Sequence, residues 1–518
     1  MTDAHEVSKP PELPTRIRIG SFFLETLTTG MYEDAFHCIR EYVQNAFDAV
    51  HDAVQAGIIG AGDGRITLTI GGSTKQATLS VRDNGTGVRS NEAVDRFVSL
   101  GASIKQPAHH AGFRGIGRLA GIAYCSTLKF TTKAMGEDAA TIFEFDCGKL
   151  RGFMAPGAQP RDVSEVVRSS VTVRTEAHRS ADHFTEVEMV GLSGSGLTFI
   201  EQDKLLPYLS QYSPVDYSEG FEFADRVRAL ASSFGAPIPV VEIEIRNRRE
   251  RIPIHKSYRN SYPTSVLNSK STLRDLETYT SKEHGWFGWF GLANFPGEIT
   301  DETVAGLRFR MKNIQIGNEA IIEELGARAT PSGSDRRLQR WAVGEIFILN
   351  AEVVPNARRD GFEDNQAWRN IQADIEQVAK RIVKCVRGAS KTRGKLKTVE
   401  AKIASTRAQL AVPQVTKRVA GEVDQELRRH LSVLEKSTAA GADPKEVSQL
   451  IGQIKEIREQ LQSRELKDET PDRPSTLTAT QPQPSTLEVV EQVLTEQLGA
   501  VRAGELMALI RSRLPEGS

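Results

Sequence analysis

Three polar residues, Glu41, Asn45 and Asp48, interrupt a largely apolar run at spacing i, i+4 and i+7. On a helix, this spacing places all three side chains on one face. A carboxylate at Glu41 can act as a general base toward a water molecule. One turn later, the amide oxygen of Asn45 is a neutral ligand suited to Mg²⁺. The spacing therefore predicts a helix that holds water beside a metal ion.

A glycine-containing turn follows this helix in the sequence. The run Asp83-Asn84-Gly85-Thr86-Gly87 comes at the end of a predicted strand. Asp83 is a hydrogen-bond acceptor suited to the amino group of a purine. Gly85 and Gly87 allow the backbone to pass close to a base. The turn therefore predicts a base-binding position.

A second glycine segment precedes the predicted helical run Arg118–Tyr124. Its glycines are Gly112, Gly115 and Gly117. Backbone N–H groups of such a segment can bind phosphates, particularly where a helix begins. The stretch Val88–Ala111, which includes Lys105, is expected to form a mobile lid over the nucleotide. Each pattern is weak alone, but their order along the chain makes ATP chemistry the leading interpretation.

The elements that must position these residues alternate between helix and strand. A helical pattern covers Phe22–Val54, with Gly30 as a breaker inside it. Arg65–Ile70 and Ala77–Val81 alternate apolar and polar residues, and the glycine pair between them predicts a hairpin. Later strands are predicted at Thr127–Thr132, Ala140–Asp146, Ser170–Thr175 and Phe184–Met189. Helices mixed with antiparallel strands predict an α+β sandwich with helices on one sheet face.

At these residues the chain resembles the GHKL ATPase superfamily. Gyrase, the ninety-kilodalton heat-shock chaperone, MutL and histidine kinases share this fold, the Bergerat fold. The resemblance implies that the helix with Glu41, Asn45 and Asp48 supplies the base and the magnesium ligand. It also implies that Asp83 reads adenine and that Thr185 supports the adenine pocket, although Phe184 replaces the glycine usual before that threonine. The expected cofactors are ATP and Mg²⁺, and Glu41 favours the hydrolysing branch over histidine kinases.

The resemblance continues to about residue 363. Val354–Phe362 is similar to the Leu-Pro-Leu-Asn-Ile-Ser-Arg-Glu loop in the middle domain of the heat-shock chaperone. It implies that Asn356 and Arg359 reach the nucleotide, where Arg359 would stabilise charge on the γ-phosphate. The alternative is that Arg358 and Arg359 are a solvated surface pair. A second basic set, which is either another phosphate sensor or a solvated strand face, lies on the predicted strand Gly306–Ile316: Arg308, Arg310 and Lys312.

Composition and pattern divide the chain into five segments. They are an ATP-binding domain (15–200), an α/β middle domain of transducer type (201–364), a helical and coiled-coil-like region (365–467), a disordered linker (468–486) and a helical tail (487–514). Short amphipathic helices are expected in the third segment, one of them starting at Asp443-Pro444. Proline, serine and threonine dominate the linker, which has few apolar residues.

Composition also limits the class of protein. With 518 residues, 39% hydrophobic and 26% charged, the sequence is typical of a globular protein of several domains. The four cysteines lack metal-binding spacing and indicate free thiols in a reducing compartment. No apolar run is long enough to span a bilayer, so a cytoplasmic location without membrane contact is expected.

Two biological tasks fit this sequence. The first is a chaperone-like ATPase that closes on a protein client or partner. The sequence does not decide whether this ATPase forms a homodimer. The second is a nucleic-acid clamp similar to MORC or MutL, with a role in defence or repair. The segment Lys380–Arg407 separates them, since it has ten basic residues against the single acid Glu400. Such a run can bind phosphates, but it can equally be a solvated helix face.

Overall fold

The computed structural model describes residues 34–73, 76–99, 117–159, 161–329, 333–411, 415–439, 444–463 and 506–507. The chain divides into two compact units, residues 1–405 with 429–455 and residues 406–428 with 456–518. The first unit contains two mixed sheets and the candidate site. The predicted α+β class is therefore confirmed.

The helices and strands of the described residues follow in chain order. The α-helices are α1 Phe36–Gln55, α2 Ser90–Val98, α3 Cys147–Met154, α4 Val163–Ser170, α5 Gln202–Tyr212, α6 Ala224–Ser233, α7 Ala320–Ala329, α8 Gly333–Leu338, α9 Gln366–Leu410, α10 Lys417–Ala439 and α11 Pro444–Gln462. Short 3₁₀ helices cover Gly117–Ala123, Gly194–Ile200 and Gln339–Trp341. The strands are β1 Arg65–Ser73, β2 Gln76–Asp83, β3 Cys125–Lys133, β4 Ala139–Asp146, β5 Val171–Ala177, β6 Phe184–Leu192, β7 Glu242–Arg246, β8 Arg251–Pro253, β9 Ser261–Pro263, β10 Lys270–Ser281, β11 Trp286–Ala293, β12 Gly306–Met311, β13 Ile314–Ile316 and β14 Val343–Ile348.

The first sheet has eight strands in the order β5-β4-β3-β6-β2-β1-β7-β8. The predicted strands at its centre are confirmed, and β1 pairs antiparallel with β2 as the hairpin signal indicated. β7 lies within the segment predicted as the middle domain, residues 201–364, but it pairs parallel with β1 and extends this sheet. Two strands of this sheet, β7 and β8, therefore lie beyond residue 201. The proposed domain bounds remain a prediction.

Helix α1 packs on β1 and β2 through its apolar side. Its buried residues include Ile39, Val43, Phe47 and Val50. Because these residues recur at helical spacing, burying them leaves Glu41 and Asn45 only half-buried, on the side of the helix that faces the site. The hydrophobic pattern of the sequence therefore orients the helix.

The second sheet has six strands in the order β13-β12-β14-β11-β10-β9. Aromatic side chains form part of its core, with Trp289 and Phe290 almost fully buried. The single strand predicted over Gly306–Ile316 is two strands, β12 and β13. Lys312 and Asn313 form the turn between them with φ of 51° and 64°. Asparagine tolerates this left-handed conformation better than most residues, whereas it is uncommon for a lysine.

Helix α9 corrects the expectation of short C-terminal helices, because it is 45 residues long. At about 1.5 Å per residue it extends for roughly 68 Å. Its first part packs into the core of the second sheet through Trp368, Ile371 and Ile375, which explains its continuity. Helix α11 begins at Pro444, as predicted. The predicted linker lies outside the described residues, as does the predicted tail apart from helical residues 506–507.

The second unit is described by its own contacts. Arg458 Nε lies 2.6 Å from Asp424 Oδ1, and Arg407 Nη2 lies 3.3 Å from Glu456 Oε2. These ion pairs join chain segments that are distant in the sequence, and apolar residues such as Leu427 and Leu461 are buried beside them. None of the helices in the described ranges is long and apolar enough to cross a bilayer.

Candidate functional site

The candidate site begins on helix α1, where Glu41 and Asn45 are half-buried and Asp48 is buried. The 3₁₀ segment Gly117–Ala123, predicted as an ordinary helical run, lies against this helix. Gly117 lies so close that a Cβ at this position would overlap Glu41 Oε2. Glycine at residue 117 therefore lets the segment lie beside the Glu41 carboxylate, whereas any larger residue would displace that side chain.

A tyrosine hydroxyl joins this segment to α1. Tyr42 accepts a hydrogen bond from Gly121 N (2.9 Å) and donates one to the carbonyl of Arg118 (3.1 Å). Burial raises the pKa of Tyr42 well above its usual value, so the hydroxyl keeps its proton and can donate. Tyr42 thereby holds the end of the glycine segment beside Glu41.

The residues proposed to read adenine lie at the ends of neighbouring strands. Asp83 is opposite Thr185 in the β2–β6 register, and Asp83 Oδ1 accepts from Gly85 N (2.8 Å) and Thr185 N (3.3 Å). Thr185 Oγ1 lies 3.0 Å from Thr132 Oγ1. The structure therefore brings Asp83, Gly85 and Thr185 together despite the unusual Phe184.

Gly87 completes the turn after Asp83. Its φ is +63°, and a Cβ there would overlap the carbonyl of Lys133. Both the left-handed backbone and the close approach to β3 require glycine at this position. The turn predicted from the glycines is thus formed, and it lies against the edge of the Asp83 and Thr185 cluster.

A loop of the second sheet domain reaches helix α1. Arg359 Nε lies 3.3 Å from Glu41 Oε1, and only 9% and 13% of the two side chains is exposed. Arg40 Nη2 donates to the carbonyl of Arg358 at 2.8 Å. The alternative of a solvated arginine pair is therefore wrong for Arg359, whereas the Arg358 side chain is exposed.

The conformation of this loop is specified by its own hydrogen bonds. Arg359 has φ +57°, an uncommon value for a residue with a side chain. Asn356 Nδ2 donates to Asp360 Oδ1 (2.6 Å), and Asn356 N donates to Gly361 O (3.0 Å). Asn356, predicted to reach the nucleotide, thus closes the loop that carries Arg359. Gly317 N, after β13, donates to Arg359 O at 2.9 Å.

The comparison with known families bears on the first part of this site. Residues 32–153 match the family model described as histidine kinase-, DNA gyrase B-, and HSP90-like ATPase. The match supports the GHKL superfamily, and with it ATP binding and hydrolysis in this part of the chain. It includes Glu41, Asn45 and Asp83. No curated protein matches the chain.

The donor set of this GHKL-type site fits a magnesium ion held mainly by its nucleotide. No group of three or more His, Cys, Asp or Glu side chains among the described residues forms a metal cage. Asn45 offers one neutral oxygen beside Glu41. Mg²⁺ retains several waters and binds nucleotide phosphates with only one or two protein ligands. A single amide ligand at Asn45 is therefore compatible with this ion.

Several predicted residues do not join the site or cannot be assessed there. Lys105, Gly112 and Gly115 lie outside the described residues, as does the second half of the predicted lid, residues 100–111, while 90–98 of its first half forms α2. Arg308 and Arg310 are buried and paired with Glu319 and Glu345, so they are neither a solvated face nor available to a nucleotide phosphate.

Three further residues that shape the candidate site could not be recognised from the sequence. Thr132 Oγ1 accepts from Val88 N (2.9 Å) and contacts Thr185, so it joins the glycine turn to the adenine position. His183 Nδ1 donates to the carbonyl of Gly85 at 2.8 Å. Arg40 lies next to Glu41 in the sequence, but it contacts the loop that follows β14. Only strand register and tertiary contact reveal these roles, although a charged residue on the apolar side of α1 was a signal for Arg40.

Proposed function

We propose that this chain is a magnesium-dependent ATPase whose nucleotide site is completed by the second sheet domain. The observation that carries the proposal is the contact of Arg359 with Glu41, because it joins a loop after β14 to the helix that matches the GHKL family. A buried arginine next to the proposed base is suited to an anionic substrate. ATP carries that charge on its γ-phosphate.

Each side chain has one role in this proposal. Glu41 takes a proton from the attacking water, and Asp83 with Thr185 binds adenine. Asn45 would hold Mg²⁺, which neutralises phosphate charge when it is bound. Arg359 stabilises negative charge that develops on the γ-phosphate, as an arginine finger from the same chain.

ATP binding would then drive a clamp-like conformational change. In the structure, the Arg359 guanidinium pairs with Glu41. With ATP, it would exchange this partner for the γ-phosphate and free Glu41 to act on water. Since Arg359 O is bonded to Gly317 N after β13, this exchange would alter the contact between the two sheets. We infer a chaperone-like action on a protein client from this coupling.

A second candidate is an ATP-gated nucleic-acid clamp of the MORC or MutL type. The observation that favours it is a row of exposed lysines on α9, including Lys384 and Lys391. Phosphate backbones bind such rows without base recognition. The two candidates share the ATPase site and differ in the polymer that stimulates it.

ATP hydrolysis by the full chain tests the proposal. Wild-type protein should hydrolyse ATP only with Mg²⁺, and Glu41→Ala should bind ATP but lose at least about 10²-fold in turnover. An unfolded client protein and double-stranded DNA are then compared as stimulators. Normal turnover by a folded Glu41→Ala variant would contradict the assigned base, and stimulation by DNA alone would favour the clamp.

A further inference from the structure

The basic residues in the middle of helix α9 form two groups. Two arginines turn toward the protein: Arg381 binds Glu277 with nitrogen–oxygen distances of 2.8 Å, and Arg393 Nη1 donates to the carbonyl of Asn294 at 2.5 Å. Burial lowers the pKa of Arg393, as expected for a guanidinium that is partly desolvated. The arginines therefore hold the helix on the second sheet.

Four lysines on one side of the same helix point to solvent. They are Lys380, Lys384, Lys391 and Lys395. All four are exposed, and no ion pair or hydrogen bond joins their ammonium groups to any residue that the structure describes. Lysines that serve only to stabilise a helix commonly pair with acids four residues away. Residues 380–395 contain no acid, and Glu376, before Lys380, is the one acid four residues from any of these lysines.

The four lysines form one row, which we call the lysine face. At about 100° per residue, they fall within an arc of roughly 60° around the helix axis. At about 1.5 Å per residue, the row is roughly 22 Å long. Arg387 lies about 20° outside this arc, and it pairs with Asp335 (2.5 Å). Because α9 is continuous through this stretch, the positive charges are held in a straight line.

A straight row of cations fits a straight polyanion. Double-stranded DNA has about one negative charge per 1.7 Å of its axis, so many phosphates lie within the length of the lysine face. Residues 380–395 contain no aromatic side chain, and single-stranded nucleic acids are bound largely by base stacking. The row also lacks exposed large apolar residues, which interfacial helices insert into lipid. The chemistry of the face therefore favours a duplex.

We propose that the lysine face binds the phosphate backbone of double-stranded nucleic acid. This inference makes the second candidate function, the nucleic-acid clamp, more specific. It depends on that proposed function only for the role of ATP in the clamp. Phosphate contacts fix the position of a protein but carry no base information. Binding through this face is therefore independent of nucleotide sequence, and it does not require ATP.

The test measures binding of the full chain to two labelled DNA duplexes of unrelated sequence, without ATP, by fluorescence anisotropy over a range of salt. The test variant is Lys384→Ala/Lys391→Ala. The control is Lys397→Ala, because Lys397 is exposed on the same helix but points about 100° away from the row. We expect wild-type affinity to fall steeply with salt, and the double variant to weaken binding equally for both duplexes.

The salt dependence gives a quantitative criterion. Each phosphate contact contributes about 0.9 to the slope of log K against log salt, so the double variant should reduce the slope by about 2. The control should leave it unchanged, and ATP hydrolysis without DNA should be normal in both. Absence of duplex binding at low salt, an equal loss in the control, or preferential binding to vesicles of anionic lipid would each overturn the proposal.

Discussion

Arg359 Nε lies 3.3 Å from Glu41 Oε1, although one residue follows the second sheet and the other belongs to the first helix. The backbone of Arg359 is held in a left-handed conformation by the hydrogen bonds of its own loop. Such a conformation costs free energy, and it persists only where the surrounding structure specifies it. The pair therefore connects the proposed base to the second sheet domain.

Arg359→Ala should lower turnover about 10²–10³-fold with little change in ATP affinity, because a finger acts on charge that develops in the transition state. Arg358→Ala is the matched control. Arg358 contacts helix α1 through its backbone carbonyl, and the substitution retains this carbonyl. Steady-state hydrolysis and calorimetry with ATP measure the two quantities. A larger loss of turnover in Arg358→Ala than in Arg359→Ala would show that the finger is assigned to the wrong one of these two neighbouring residues.

Asp83→Asn should abolish measurable ATP binding while leaving the turn intact. An asparagine oxygen can still accept from Gly85 N and Thr185 N, as Asp83 Oδ1 does. Its amide, however, can present a donor to the amino group of adenine. Calorimetry with ATP provides the measurement, and thermal unfolding checks the fold. Wild-type ATP affinity in a folded variant would show that adenine is bound elsewhere in the protein.

Glu345→Gln should destabilise the second sheet domain strongly. Glu345 is fully buried and pairs with Lys256 (2.9 Å) and Arg310, and it also accepts from Tyr217. Burial, with Arg310 nearby, lowers the pKa of Lys256 to about 7. Removing the carboxylate leaves Arg310 as a buried cation without a counter-ion and lowers the pKa of Lys256 further, so that Lys256 loses its charge; leaving such a buried charge unpaired costs about 3–5 kcal/mol.

The matched control for this variant is Asp275→Asn. It breaks an ion pair with Arg226 in which about half of each side chain is exposed, and such pairs contribute at most about 1 kcal/mol. Urea unfolding gives both free energies. Equal losses in the two variants would show that the Glu345 cluster does not act as a buried charge network.

The pair of His284 and Asp374 should make stability depend on pH. His284 Nδ1 lies 2.7 Å from Asp374 Oδ2, and this hydrogen bond raises the pKa of His284 above its usual value near 6.5. The folded state therefore binds a proton more tightly than the unfolded state. The resulting stability is fully present below about pH 6.5 and is lost as pH rises through the folded pKa.

The His284→Gln variant cannot bind this proton, so it is the variant to compare with wild type. The difference in free energy of unfolding between wild type and His284→Gln should be largest at acidic pH and shrink above neutrality. Denaturant unfolding at several pH values measures it. A difference that stays constant from pH 6 to 8 would refute the proposed linkage.

Local patterns in the sequence were sufficient for the first helix and the central strands. The apolar spacing of Ile39, Val43 and Phe47 orients α1 in any arrangement that buries them, and this places Glu41 and Asn45 together. The glycines at Gly85 and Gly87 indicated a turn because the backbone geometry there excludes most side chains. These features depend on residues close in the chain, which is why periodicity and turn chemistry predict them.

Contacts between distant residues were decided by the tertiary structure alone. Nothing local to β7 shows that it pairs with β1, since strand pairing depends on which chain segments meet. The same reason applies to Thr132 beside Thr185, and to Arg359 beside Glu41. On α9, sequence showed only a run of positive charge. Packing against Glu277 and Asn294 determined that Arg381 and Arg393 turn inward, because a helix has one buried side and its partner supplies the acceptors.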